Sequence, residues 1–327
     1  MKKSYGSIAV PVSTMSDITT IGETMLRLSP QSGERLETAT ALDFRTAGAE
    51  SNVAIAAQRL GAESQWISKL PESPLGRRVR NEIRQHGVTP TVCWSSDHRQ
   101  GTYYIEQGAT PRETTVIYDR EDAAVTTLTP GEIPIQEIEK TSILYTTGIT
   151  PALSETLFDT TESLLKTDTT VGFDLNYRSK LWSQSDAQSG YEKLLPHVDL
   201  LFAPERDVRS ILEIGGSAES IVKKLYETYD CEVVVLTRGE NGAIAYAGDE
   251  IYTQSAYDTE TIDAIGTGDA FVGGYLAKYI TNASVDVSLQ YAAATAALKR
   301  TIQGDLAVIT PTEVENVIRS QEQGIKR

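Results

Sequence analysis

The residues best equipped for chemistry stand together late in the chain, in Asp263-Ala264-Ile265-Gly266-Thr267-Gly268-Asp269-Ala270-Phe271. Gly266 and Gly268 flank one small hydroxyl residue, Thr267. An acid follows at once, and the run from Ala270 to Ile280 reads as a helix. Glycine tolerates backbone dihedrals that other residues avoid, so such a loop lets its N–H groups converge. A helix N-terminus behind it adds the positive end of the macrodipole and favours phosphate-like charge. Asp269 then sits just beyond the anion cradle, where a carboxylate can take a proton from an attacking hydroxyl. A hole for developing charge and a base for the nucleophile are what phosphoryl transfer needs. An Asp at this place is also an ordinary helix cap, so the loop needs support from the rest of the chain. Other nucleotide motifs are excluded. A dinucleotide fingerprint would require glycine where Phe271 stands, and no GxxxxGK[ST] loop or HRD/DFG pair occurs.

The elements that must carry this loop are long enough to bury a core. The chain has 327 residues, 40% of them hydrophobic, which suits one large domain or one domain with an appendage. A net charge of −15 and an isoelectric point near 4.7 argue against a nucleic-acid partner, which calls for a basic face. The excess acid keeps a protein soluble and would suit a salty cytoplasm. Cys93 and Cys231 cannot build a disulfide framework, and His86, His98 and His197 are too dispersed for a histidine metal site. The opening MKKSYGSIAVPVSTMSD is too short and polar for a signal sequence and is broken by Pro11. Met15 is a candidate true start, and residues 1–15 are expected to be a disordered extension of a domain spanning 16–327. No apolar run approaches the roughly 20 residues of a membrane span; a cytoplasmic protein with no membrane partner is expected.

Along the chain, ITTIGETMLRL (residues 18–28) reads as a strand interrupted at Gly22-Glu23, and Ser51–Leu60 as a helix stopped by Gly61. Gln65–Lys69 is a strand. Pro74 opens a helix with Leu75, Val79 and Ile83 inward. Thr91–Trp94, Gly101–Glu106 and Thr114–Arg120 switch to period two and read as half-exposed strands of a small edge sheet. A lid built from about 24–46 and 100–122 is expected. From Ser142 on, the apolar runs ILYTTG, TVGFDL, VDLLFA and CEVVVLT alternate with helical patterns. Alternation of this kind means a parallel sheet with helices on both faces, and continuous Val233–Leu236 suits a strand covered on both sides.

With these elements placed, the chain resembles the ribokinase-like (pfkB-type) carbohydrate kinases over nearly its whole length. The marks are the closing Asp263-x-x-Gly266-Thr267-Gly268-Asp269, the opening Gly48-Ala49-Glu50-Ser51-Asn52 running to Arg59-Leu60-Gly61, and Thr237-Arg238-Gly239-Glu240-Asn241-Gly242-Ala243 after a strand. Thr267 stands where the family usually has Ala, and Pro204 where many relatives carry an Asn on the nucleotide side. The resemblance implies a three-layer α/β/α sandwich with a mostly parallel central sheet and a small β-sheet lid. Within the family, the chain most resembles the 2-keto-3-deoxygluconate kinases.

That resemblance implies roles. Gly48, Asn52, Tyr103, Tyr118, Arg120, Arg178 and, more weakly, Asp305 would hold an acid sugar. Asn176 and Thr237 to Gly242 would hold ATP with Mg2+. Gly266, Thr267 and Gly268 would cradle the transferring phosphoryl group, and Asp269 would act as base. Guanidinium matches a carboxylate in a planar, bidentate way, and a chain of charge −15 repels anionic substrates unless its cleft is locally positive. No metal ligand is assigned, although Glu205 or Asp207 could help organise hydrated magnesium. A monovalent cation beside the anion loop is a further candidate. A fructokinase or ribokinase-like enzyme for a neutral sugar is the alternative, and a non-catalytic binding regulator a more distant one. An exposed lid sheet is a natural surface for a homo-oligomer.

Overall fold

The computed structural model describes residues 16–324, with side chains described as far as Ser320; the extension expected over 1–15 lies outside the described residues. In chain order the elements begin with β1 (Ile18–Ile21), β2 (Met25–Ser29), β3 (Asp43–Ala47), α1 (Ala49–Arg59), β4 (Ser64–Pro71), α2 (Pro74–Gln85) and β5 (Thr89–Ser95). Next come β6 (Thr102–Glu106), β7 (Thr115–Asp119), a single turn α3 (Ile135–Ile138), β8 (Ile143–Thr147), α4 (Glu155–Leu165), β9 (Thr170–Asp174) and α5 (Gln184–Leu194). The rest are β10 (Leu200–Pro204), α6 (Glu205–Ile211), α7 (Ala218–Tyr229), β11 (Val233–Thr237), β12 (Ala243–Ala247), β13 (Glu250–Gln254), α8 (Thr267–Tyr279), α9 (Val285–Arg300) and α10 (Pro311–Gly324).

A 9-stranded sheet in the order β13-β12-β11-β10-β9-β8-β1-β4-β5 forms the body, and a 4-stranded sheet in the order β3-β2-β6-β7 stands beside it. The body sheet is parallel from β5 to β11, while β12 and β13 continue it antiparallel. This is the expected mixed α/β architecture. Alternate residues of the central strands face opposite layers. Leu200, Phe202, Val233 and Val235 pack in the cluster that holds α1, α8 and α9, whereas Leu201, Ala203, Val234 and Leu236 pack in the cluster of α5, α6 and α7. A parallel strand covered on both faces has to be apolar at every position, and β11 is.

The interruption expected at Gly22-Glu23 divides the 18–28 run into β1 of the body sheet and β2 of the small one. The fold corrects two expectations. Thr91–Trp94 belongs not to the small sheet but to β5, paired in parallel with β4 at the edge of the body. An edge strand is covered on one side only, which is why its pattern reads as half-exposed. Leu75 is 44% exposed: the buried stripe of α2 runs through Gly76, Val79 and Ile83 instead, after a start fixed by Pro74 and by Ser73 accepting from the Gly76 amide.

Because β1 starts in the middle of the sheet, the chain builds outward to β4 and β5 on one side and to β8, β9, β10 and β11 on the other. Ligands of open α/β sheets lie outside the carboxyl ends of strands near such a switch. Those ends here are Gly22-Glu23, Thr147-Gly148, Asp174, Pro204 and Thr237.

Candidate active site

A cleft of about 490 Å³ opens over those strand ends, between the body and the small sheet. Its walls include Gly48, Asn52, Tyr103, Tyr118, Arg120, Asn176, Arg178, Gly266, Thr267, Gly268, Asp269 and Asp305. Stretches of sequence more than 250 residues apart therefore meet in one place.

The anion loop forms as its glycines suggest. Gly266 caps α8 with φ +76, and a Cβ there would come within 2.1 Å of the Asp305 carbonyl oxygen, so only glycine fits. The Gly266, Gly268 and Asp269 amides have no acceptor among the described residues; the Thr267 amide makes a long 3.3 Å bond to the Ala264 carbonyl. Free amides at the start of a 13-residue helix are a ready anion site. Asp263 braces the loop from behind. Its Oδ1 accepts from the Ile265 amide (3.0 Å), and its Oδ2 accepts from Gln107 Nε2 (2.9 Å) and the Gly304 amide (3.0 Å).

Asp269 lies in the first turn of α8, half-buried at the cleft floor. Asn52 Nδ2 donates to its Oδ2 at 2.7 Å. Burial pushes its carboxyl up to about 6 against the pull of Asn52 and Arg178. Two further acids in the cleft are raised higher: Asp174 to about 8 and Glu50 to about 7, both chiefly by burial. Glu50 Oε1 accepts from the Thr147 amide and from the Thr147 and Thr150 hydroxyls.

The basic groups are less free than their sequence positions suggest. Arg120 NH2 is ion-paired with Glu23, a buried acid at the end of β1, and its guanidinium lies 5.4 Å from the Tyr118 ring centre. The Tyr103 hydroxyl donates to Asp305 Oδ1 at 3.4 Å, and Arg27 NH1 donates to Asp305 Oδ2 at 2.7 Å. Arg178 is different. Its NH1 donates only to the neighbouring Tyr177 carbonyl, and no carboxylate lies within ion-pairing reach among the described residues.

A second cavity, of about 190 Å³, shares Thr237, Thr267 and Gly268 with the cleft. Ala256, Tyr257, Phe271, Ala293, Ala296 and Ala297 make it largely apolar. The anion loop thus stands at the junction of two chambers, one polar and one suited to a flat ring.

Residues 15–312 match the profile of the pfkB family carbohydrate kinase over more than half of the chain. The chain belongs to the pfkB family of carbohydrate kinases. This kinase is similar to the 2-dehydro-3-deoxygalactonokinase of Haloferax volcanii, at 58% identity over 95% of this chain and 99% of that one. It is similar to the 5-dehydro-2-deoxygluconokinase of Bacillus subtilis at 26% identity, covering 93% and 96% of the two chains. Among solved structures, the 2-dehydro-3-deoxygluconokinase of Thermotoga maritima aligns with a TM-score of 0.88 at 28% identity, covering 94% of this chain and 99% of that one.

The kinase brings most of the residues singled out in its sequence to the two chambers. Asn176, expected with the nucleotide, lines the polar cleft together with Thr237 and the anion loop, held at φ 40 beside Asp174. Thr237, Gly239 and Gly242 line the apolar chamber; Glu240 and Asn241 do not. Arg238 reaches a neighbouring hollow with Arg206 and Arg209. Glu23, Arg27 and Lys299 are given no role by the sequence reading, and Glu50 enters it only as part of the opening signature. A charge inside an apolar strand run is the one signal that could have pointed to Arg27. Among the described residues no helix is long and apolar enough to cross a membrane.

The raised acids make stability pH-dependent. A carboxyl with a folded value above its unfolded one holds extra protons in the native state, so its stabilisation is complete below the unfolded value and lost as pH rises through the folded one. For Asp174 that window runs from about 4 to about 8. An Asp174→Asn variant is expected to lose less stability than the native kinase between pH 5 and pH 9, measured by denaturant unfolding across that range.

Proposed function

We propose that this kinase transfers the terminal phosphoryl group of ATP to the terminal hydroxyl of a 2-keto-3-deoxy sugar acid. Between epimers, the galactonate-derived substrate is the better reading, because the relative at 58% identity is named for it. The gluconate-derived epimer favoured by the sequence motifs is the second substrate to test. The observation that carries an acid sugar is Arg178, a guanidinium in the polar chamber that has no carboxylate partner among the described residues. A bound carboxylate supplies the missing partner in a planar, bidentate geometry. Arg120 is shared with Glu23, so its part is to shape the pocket and to donate to sugar hydroxyls beside Tyr118.

ATP lays its base in the apolar chamber and its phosphates along Thr237 and Gly239 toward the anion loop. The Gly266, Gly268 and Asp269 amides receive the charge that develops on the phosphoryl group, already aimed before the reaction begins. Asp269 takes the proton of the sugar hydroxyl, and Asn52 fixes the carboxylate's orientation. A base titrating near 6 is mostly ionised at neutral pH yet close enough to accept a proton efficiently. The small sheet, carrying Tyr103, Tyr118 and Arg120, closes over the sugar and keeps water from competing as acceptor.

The cleft offers magnesium no protein cage. No cluster of three potential ligands exists among the described residues, Pro204 has no side-chain donor atom, and both Asp207 oxygens are taken by Arg206 and the Tyr177 amide. A magnesium ion is therefore expected to arrive on the nucleotide phosphates, with water completing its shell.

A coupled ADP-release assay with the two 2-keto-3-deoxy epimers, fructose and ribose tests the reading. Turnover of a sugar acid, with KM raised at least tenfold in Arg178→Met, is the expected result, since a hydrogen bond to a charged group contributes about 1.5–3 kcal/mol. Preferential turnover of fructose or ribose, indifferent to Arg178→Met, would replace it with the neutral-sugar reading.

A further inference from the structure

Lys299 is a lysine with no exposed surface, in the last turn of α9. A buried ammonium is costly unless it is paired, so its partners show what it serves. Its Nζ donates to the Asp263 carbonyl at 3.0 Å and to the Ile302 carbonyl at 3.2 Å. Around it lie the Asp263 and Asp305 carboxylates and the Arg27 guanidinium. Lys299 and Arg27 thus balance the two acids, and the negative end of α9 adds to the attraction.

Both carbonyls belong to segments that shape the anion loop. Asp263 opens the run into Gly266, and its backbone amide bonds to the Arg300 carbonyl at the end of α9. Ile302 begins the turn that brings Asp305, whose carbonyl presses against Gly266. The ammonium therefore ties the entrance of the loop to the backbone beneath it. Backbone carbonyls and nearby carboxylates converging on one positive charge are the ligand chemistry of a bound alkali cation.

We propose that the Lys299 ammonium stands in for a bound monovalent cation, fixing the loop amides in their phosphate-binding arrangement so that this kinase needs no added potassium or sodium. Lys299 is a positioning residue: it reaches the phosphoryl group through the Asp263 and Asp305 segments rather than by contact. The inference rests on the kinase reading only as far as nucleotide binding and transfer, not on which sugar is the acceptor.

The test compares native enzyme in potassium, sodium and tetramethylammonium chloride at matched ionic strength. ADP affinity is read by calorimetry, and turnover by the coupled assay. Both are expected to be the same in all three salts; a loss of about tenfold or more without the alkali ions would overturn the proposal. Lys299→Ala is expected to lose about 10- to 100-fold in turnover and to regain activity in ammonium or potassium chloride but not in tetramethylammonium. A Lys299→Ala protein as active as the native one refutes it, as does one that melts like the native yet responds to neither ion. If that variant does not fold, the salt comparison on native enzyme decides alone. Native protein that binds ADP independently of salt but turns over no sugar acid counts against the substrate reading and leaves the cation inference supported.

Discussion

Asp269→Asn is expected to bind nucleotide and sugar nearly as tightly as the native kinase while turnover falls by about 100-fold or more, the scale of a lost general base. The substitution is close to isosteric, and the new amide can still present its oxygen to Asn52 Nδ2, which now donates to Asp269 at 2.7 Å. The start of α8 and its free amides stay in place, so phosphate binding survives. What goes is the carboxylate beside the free amides of α8, whose carboxyl burial raises to about 6. The native profile of kcat/KM should rise through about pH 6 and level off at neutral pH, because the base works only when ionised. In the variant that acidic limb should vanish. Calorimetry for binding and single-turnover rates for chemistry separate the two effects. A variant with native turnover would strip Asp269 of its role.

Arg27→Met is expected to cost about 3–5 kcal/mol of stability, the usual effect of removing one partner from a buried ion pair. Arg27 is 2% exposed and bonds Asp305 at 2.7 Å, with Asp263 at 3.5 Å. It sits on β2, so it ties the small sheet to the turn beneath the anion loop. Methionine fills much of the volume but leaves two buried carboxylates facing Lys299 alone. Arg27 holds the Asp305 carboxyl down against the rise imposed by burial. Without it, Asp305 keeps its proton to higher pH, and the stability supplied by the pair is present at neutral pH and fades as pH falls. Denaturant unfolding at pH 5 and pH 8 should therefore show a larger deficit at pH 8. A deficit independent of pH would mean that lost packing, not lost charge, is responsible.

The chemistry of the site was legible where it is local. Gly266, Thr267, Gly268 and Asp269 are neighbours in sequence, and the dihedral freedom of glycine and the dipole of the following helix act within a few residues. The alternation of apolar strands and helices from Ser142 on likewise announced a parallel sheet, since burial on both faces demands continuous apolar runs. The hairpin of β12 and β13 is missing from the sequence reading although its signal is local: Gly248 and Asp249, both at positive φ, form a two-residue loop between Ala247 and Glu250.

Which charges remain free to bind a ligand was not legible. Tyr118 and Arg120 read as an open grip on an acid, but Glu23, 97 residues earlier, already holds Arg120. Asn52 reads as a sugar ligand, but it lies against Asp269, 217 residues later. Asp305 reads as a substrate acid, but Arg27, 278 residues earlier, neutralises it. Residue types and short spacings set which groups could react; the order of the strands set which of them meet. In a low-dielectric interior a charge is spent or available according to its nearest neighbour, and only the tertiary structure decides who that neighbour is.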